Sequence, residues 1–205
     1  MTRTGKTKKE VVLEFRTTGI LDAARRVFAA KGFHDATIDD VADTAGIAKG
    51  TVYLYYPSKQ ELYWAALRAG IVTMVEEAAR EMSQASTVAD KVHAFIASKI
   101  NYFEARKDFF KVYFAEFGNA LTHPAEMQRQ FKQLYLHQAR VLAKVIAEGV
   151  RRKELRPLRA ESAALAIADL TRGIVVQRLV GWSKAPAEDD IQFVFDLIWK
   201  GLAHR

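Results

Sequence analysis

Apolar residues recur three and four apart along nearly the whole chain, the spacing of amphipathic helices. Ile20, Leu21, Ala24, Val27 and Phe28 form the first such stripe, and Ile38, Val41, Ala42 and Ala45 the second. Val52 and Tyr56 share one side of a third, short helix. Val88, Val92, Phe95, Ile96, Ile100 and Phe103 follow at helical spacing. A longer stripe runs Met127, Phe131, Leu134, Tyr135, Val141, Leu142, Val145 and Ile146, with polar Gln138 inside it. Ile191, Val194, Phe195, Ile198 and Leu202 make the last. Alternating runs rich in Val, Ile and Thr are absent, so the expected fold is all-α.

Punctuation residues set the boundaries. A helix is predicted over about Thr17 to Lys31, stopped by Gly32. Thr37 suits an N-cap, with Asp39 and Asp40 at the positive end of the helix that follows. Gly46 supplies a sharp turn, and the next helix runs from about Ala48 to Tyr56, ended by Pro57. Ser58 and Glu61 have capping-box spacing and open a long helix to about Ser83. Thr87 with Asp90 opens the next. Pro124 suits the first turn of a helix to about Lys153. Two more are predicted, at about 160–180 and 188–203. Residues 1–14, with Arg3, Lys6, Lys8 and Lys9, read either as a solvated arm or as a basic arm reaching DNA.

The stretch 37–56 is helix, glycine turn, helix. The second helix turns Gly50, Thr51 and Leu54 away from its docking side, with Tyr53 and Tyr55 flanking and Lys49 at its start. A small, polar and aromatic face suits the DNA major groove: Gly50 permits close approach, Thr51 offers a hydrogen bond, and Leu54 fits a thymine methyl. Lys49, Tyr53, Tyr55 and Lys59 are candidate phosphate contacts, and Thr37 is a further candidate DNA-binding residue. Taken alone, the same hairpin would suit an ordinary core.

The spaced set Thr37, Val41-Ala42, Ala45-Gly46-Ile47, Lys49-Gly50-Thr51-Val52-Tyr53, Tyr55-Tyr56 and Lys59-Glu61-Leu62 resembles the N-terminal domain of TetR-family transcriptional regulators. The resemblance extends over roughly Gly19 to Leu67. It implies a three-helix DNA-binding domain, here 1–60 including the arm, and a larger helical effector-binding and dimerisation domain, 61–205. One departure is Ala48, where the family commonly has Ser or Thr, so the recognition helix lacks a side-chain cap.

Composition narrows the alternatives. The formal charge of +7 fits a polyanionic partner. Residues 1–60 hold 10 Lys and Arg against 7 Asp and Glu, and the remainder 21 against 17, so the excess is not local to one end. There is no cysteine, hence no disulfide or thiolate chemistry. No zinc spacing, phosphate loop or nucleophile elbow appears, so neither metal, cofactor nor enzymatic activity is expected. No apolar run approaches the roughly 20 residues of a membrane span, and no signal core follows the N-terminus, so a cytoplasmic location is expected.

Aromatic residues crowd between 102 and 117. They suit either a plain core or the wall of a ligand cavity. The resemblance implies an effector pocket in this domain, and Phe103, Phe110, Phe114, Phe117, His137 and Arg140 are its candidate lining for a hydrophobic or aromatic compound. The last two helices suit either a hairpin on their own domain or, as the resemblance implies, a homodimer interface through Ile174, Gln177, Ile191, Phe195, Ile198, Trp199 and Leu202. The reading is a homodimeric, ligand-released repressor on a palindromic operator. A non-specific DNA- or RNA-binding protein and a helical enzyme are the alternatives.

Overall fold

The computed structural model describes residues 7–119 and 125–202. Among these it contains helices and no strand: α1 (Lys8–Asp35), α2 (Ile38–Ala45), α3 (Lys49–Tyr55), α4 (Lys59–Gln84), α5 (Val88–Ala105), α6 (Lys107–Asn119), α7 (Ala125–Arg151), α8 (Ala160–Leu179) and α9 (Ala187–Leu202). The all-α expectation holds, the ends of α2 to α4 and α7 to α9 fall within two residues of those read from the sequence, and α5 begins directly after the Thr87 expected to cap it.

The caps explain this agreement. The Thr37 and Thr87 hydroxyls each accept the backbone N–H three residues on, and Asp40 and Asp90 accept in return from the capping residues' own N–H groups. The Ser58 hydroxyl accepts from the Glu61 N–H. Gly46 takes the left-handed conformation, φ 67°, and its N–H closes on the Ala42 and Asp43 carbonyls. α3 starts at Ala48 with no side-chain cap, as the alanine dictates.

Two elements differ. Helix α1 begins at Lys8, so the solvated arm proposed for 1–14 is helical from that residue on. Lys, Glu and Leu continue a helix readily, and no Gly or Pro interrupts Lys8 to Thr18. Residues 1–6 lie outside the described residues, and with them Arg3 and Lys6. The aromatic run at 102–117, in which the sequence marks no boundary, divides between α5 and α6. It breaks at Arg106, φ −144° and ψ 52°, without a Gly or Pro to announce the break.

The buried core is continuous from Ile20 to Leu202. Helix α5 lies at the centre of the larger part, packed by α4, α7, α8 and α9, and its Phe95, Ile96, Ile100 and Phe103 are almost fully enclosed. Helix α4 packs on α1 at one end and α5 at the other. Helix α6 packs on α1, α4, α5 and α8, which makes it the bar between the two ends of the molecule. Gly70 of α4 lets α6 come close: a Cβ there would stand 2.2 Å from the Phe109 ring.

Candidate DNA interface and the effector-domain interior

Helix α2 presses Ile38, Val41 and Ala42 against α1, and α3 is anchored by fully buried Val52 with half-buried Tyr56. Its opposite side is open. Leu54 is 84% exposed and Tyr53 44%, Lys49 and Gly50 are exposed, and Thr51 is half-buried. A leucine that bare on a seven-residue helix has no packing role inside the subunit, and large exposed apolar groups mark contact surfaces.

The surroundings hold this face firmly. Lys31 donates to Asp40 at 2.7 Å; with the Thr37 bonds this keeps the Asp40 carboxyl down at about 2, well below the usual carboxylate range. Lys49 donates to Asp39 at 2.7 Å, so its ammonium sits at the rim of α2 and α3 and is exposed. The Thr37 hydroxyl accepts within the cap and is exposed.

Lys59 differs from its sequence reading. Its Nζ donates to the His34 and Ala36 carbonyls at 3.0 and 2.9 Å and lies 4.8 Å above the Phe33 ring. These bonds tie the end of α1 to the start of α4, so the half-buried side chain has a structural task rather than an open phosphate grip. Tyr55 is also half-buried and packs on the core.

The proposed effector lining divides. Phe103 and Phe110 are core side chains, about 1–2% exposed, and Phe114 is half-buried against Phe110 and Tyr113. His137 and Arg140 point the other way, into an open surface groove of about 460 Å³ with Arg68 and Gln133. The physical reason is a 100° helical step: Gln138 turns inward on α7, so His137 before it and Arg140 after it turn out. Of the six, Phe117 lies under the Arg172 of the interior polar cluster described next, and Phe110 and Phe114 border its Tyr113.

That cluster was not singled out in the sequence. Lys99 of α5 is 6% exposed, with its Nζ donating to the Gln138 Oε1 at a long 3.4 Å and lying 5.4 Å from the Phe95 ring. The Gln138 amide donates onward to the Tyr113 hydroxyl at 3.2 Å. Arg172 of α8 lies 3.9 Å over the Phe117 ring and pairs with Asp169 at 3.4 Å, while its Nη1 is buried without a hydrogen-bond partner. The Tyr135 hydroxyl donates to Asp169. Burial, reinforced by the neighbouring Arg172 charge, pulls the Lys99 ammonium down to about 8. The signal was present: Lys99 lies four residues from both Phe95 and Phe103, inside the apolar stripe.

Two contacts of α6 lead from this interior toward the DNA-binding end. Asp108 accepts from the Arg25 Nε of α1 at 2.9 Å, and Glu116 accepts from the Tyr63 hydroxyl of α4 at 3.0 Å in a buried setting. Burial raises the Asp108 carboxyl, but the Arg25 bond outweighs it and leaves it below its usual value.

The dimer candidates also divide. Ile174, Ile191 and Leu202 are buried inside the subunit at 7%, 1% and 8% exposure, which leaves them no surface for a partner. Phe195 stacks on Trp199 and meets His93 of α5 edge-on, and Ile198 packs half-buried on the core. Gln177 is exposed. The open apolar face lies about 100° round the helices: Phe193 and Leu197 of α9 are 58% and 54% exposed, and Leu170 of α8, which shares a groove with Ile198, is 36% exposed. Arg178 pins this hairpin, bonding Glu104 of α5, Asp190 of α9 and the Ala185 carbonyl.

No described helix is long and apolar enough to cross a membrane, and the described residues hold no cluster of His, Cys, Asp or Glu fit for a metal. A capped helix-turn-helix with a bare outer face, on a helical body, defines a DNA-binding regulator. Residues 20–66 match the profile of bacterial regulatory proteins of the tetR family, and this segment is a domain of that kind. The fatty acid metabolism regulator protein of Bacillus subtilis is 21% identical over 137 residues, 67% of this chain and 69% of that one. Among solved structures, the fatty acid degradation regulator FadR of Bacillus halodurans superposes with a TM-score of 0.80 at 21% identity, covering 90% of this chain and 98% of its own. FadR from Bacillus subtilis in complex with stearoyl-CoA gives 0.76 at 19% identity, covering 88% and 96%. These two structural likenesses speak to the fold.

Proposed function

We propose that the protein is a homodimeric, effector-released regulator that reads a two-fold operator with α3. The observation that carries this is the set Lys49, Gly50, Tyr53 and Leu54, exposed beside half-buried Thr51 and fixed by buried Val52, in which the side-chain bond among the described residues is the exposed Lys49–Asp39 pair. Thr37 stands beside it for a phosphate. Residues 1–60 form the reading half and 61–205 the controlling half. A repressor is the simplest case: the free dimer holds its two α3 helices about one helical turn of DNA apart, 34–36 Å or a multiple.

The dimer is supported by the bare face of α8 and α9, where Leu170, Phe193 and Leu197 are left open by the described residues and gain burial against another chain. A two-fold copy would place the same face against itself and close the assembly.

Release follows from α6. Tyr113 and Phe117 look into the effector-domain interior, while Asp108 and Glu116 of the same helix hold α1 and α4. A ligand that binds better to a shifted α6 draws the population to that arrangement. Full reversal of a 1:99 equilibrium takes about 5.5 kcal/mol of differential binding, which a sizeable apolar effector can supply. The stearoyl-CoA seen in a protein of like fold supports an effector that is largely apolar.

The test is selection of operator sequences with the purified protein, followed by footprinting. A palindromic site bound by two chains is expected; equal affinity for scrambled duplex would favour the non-specific alternative.

The Arg25–Asp108 tie has its own consequence. Asp108→Asn is expected to cost about 1 kcal/mol at pH 7, as for a partly exposed charge-assisted bond. Because the folded Asp108 pKa lies below its unfolded value, this contribution is present above about pH 4 and lost as pH falls through the folded value. Urea unfolding of the two proteins at pH 7 and pH 3 checks it: the gap is expected to be smaller at pH 3 than at pH 7.

A further inference from the structure

We infer that the interior between α5, α6, α7 and α8 receives an apolar carboxylate whose negative end lies between the Lys99 ammonium and the Arg172 guanidinium. This deepens the reading of an effector-controlled regulator and rests on it.

The charges in this interior do not balance. Lys99 brings a buried positive charge, and Arg172, its side chain 20% exposed, a second; Asp169, 42% exposed, brings one negative charge shared between Arg172 and the Tyr135 hydroxyl. Buried charges are ordinarily paired, since an isolated one is strongly disfavoured in a low dielectric. Here an ammonium with three donors makes one long bond, to Gln138, among the described residues. The guanidinium keeps a buried Nη1 with no acceptor. Both unmet demands call for oxygen acceptors carrying negative charge, and a carboxylate supplies two. A cationic ligand would make the imbalance worse. The remaining walls are aromatic: Phe95 under Lys99, Phe117 and Tyr135 under Arg172, and Phe131 5.9 Å from Phe117. They favour an acyl chain or a fused ring in the rest of the ligand.

Such a ligand must part α6 from α7 and α8 to enter. That motion shifts the helix that carries Asp108 and Glu116, so occupancy and DNA-end geometry are linked through one element.

The test uses the full chain with dodecanoate, hexadecanoate and 2-naphthoate, each below its micellar concentration, against the neutral counterparts dodecanol, hexadecanol and 2-naphthamide. Titration calorimetry is expected to show at least one acid binding tenfold or more tighter than its counterpart. Lys99→Met and Arg172→Met are each expected to weaken that acid at least tenfold, to leave the neutral compound within threefold, and to keep ligand-free operator affinity within threefold. Acid and counterpart binding alike, no acid binding at all, or unaltered acid affinity in both variants would overturn the proposal. The wild-type comparison decides even if a variant does not fold. Loss of operator recognition by the wild type would instead strike the regulator reading, and intact operator binding with failed acids strikes only this inference.

Discussion

Lys99→Met is expected to make the ligand-free protein more stable at pH 7, by about 2–3 kcal/mol. Burial lowers the Lys99 pKa from 10.5 to about 8, and each pKa unit corresponds to roughly 1.4 kcal/mol. The gross cost of holding the charge is therefore on the order of 3 kcal/mol, less about 1 kcal/mol for the Gln138 acceptor left unpaired. The groups acting on it are Arg172, which lowers its pKa further, and Asp169, which opposes this, both on α8. The sign follows from linkage. The folded pKa lies below the unfolded one, so between pH 8 and 10.5 the unfolded chain binds more protons and stability rises with pH. Below pH 8 the cost is fully present. Urea unfolding of wild type and variant is expected to show the gap at pH 7 shrinking steadily toward pH 10.5. A destabilised variant at pH 7 would mean that the ammonium has better partners than Gln138. Retaining a charge at such a cost makes sense when a ligand satisfies it.

Phe193→Glu with Leu197→Glu is expected to yield a folded monomer. In a two-fold interface the pair occurs twice, so four large apolar side chains lose their burial. At about 1.5–3 kcal/mol each, the loss is at least 6 kcal/mol, roughly a 10⁴-fold weaker dimer. Both residues are exposed within the subunit, so its own core is untouched and its circular dichroism is expected to match wild type. Sedimentation at micromolar concentration reads the outcome directly. An intact dimer would place the association surface elsewhere. The contrasting change Ile191→Glu is expected to unfold the subunit, because Ile191 lies in the core.

The fold was largely legible because its boundaries are written in side chains that act locally. Thr37, Gly46, Ser58 and Thr87 each satisfy or redirect backbone groups within a turn, so their effect can be read without tertiary knowledge. The break at Arg106 could not be read. No residue there forbids a helix, and the bend is set by how α6 packs across α1 and α4. The outward face of α3 was legible for the same local reason: seven residues from Lys49 to Tyr55, one anchor at Val52, and Lys49, Gly50, Tyr53 and Leu54 facing out. Lys59 misled because its ammonium finds the His34 and Ala36 carbonyls, which are 25 and 23 residues away in sequence. On α9 the periodicity identified the strongest apolar stripe, and that stripe belongs to the subunit's own core. The second stripe, Phe193 and Leu197, is the one left open, and only the position of α5 decides between them. The interior of the effector domain was hidden by a similar choice of side on α7, where one helical step separates buried Gln138 from exposed His137.

The central claim is that the open side of α3 meets DNA, and operator affinity across a salt series tests it most directly for wild type, Lys49→Ala and Tyr53→Ala. Lys49→Ala is expected to weaken every duplex alike by about 1–3 kcal/mol and to reduce the slope of log affinity against log salt by about one. Tyr53→Ala is expected to weaken the operator by a similar amount. Unchanged affinity and unchanged slope in both variants would take α3 out of the interface.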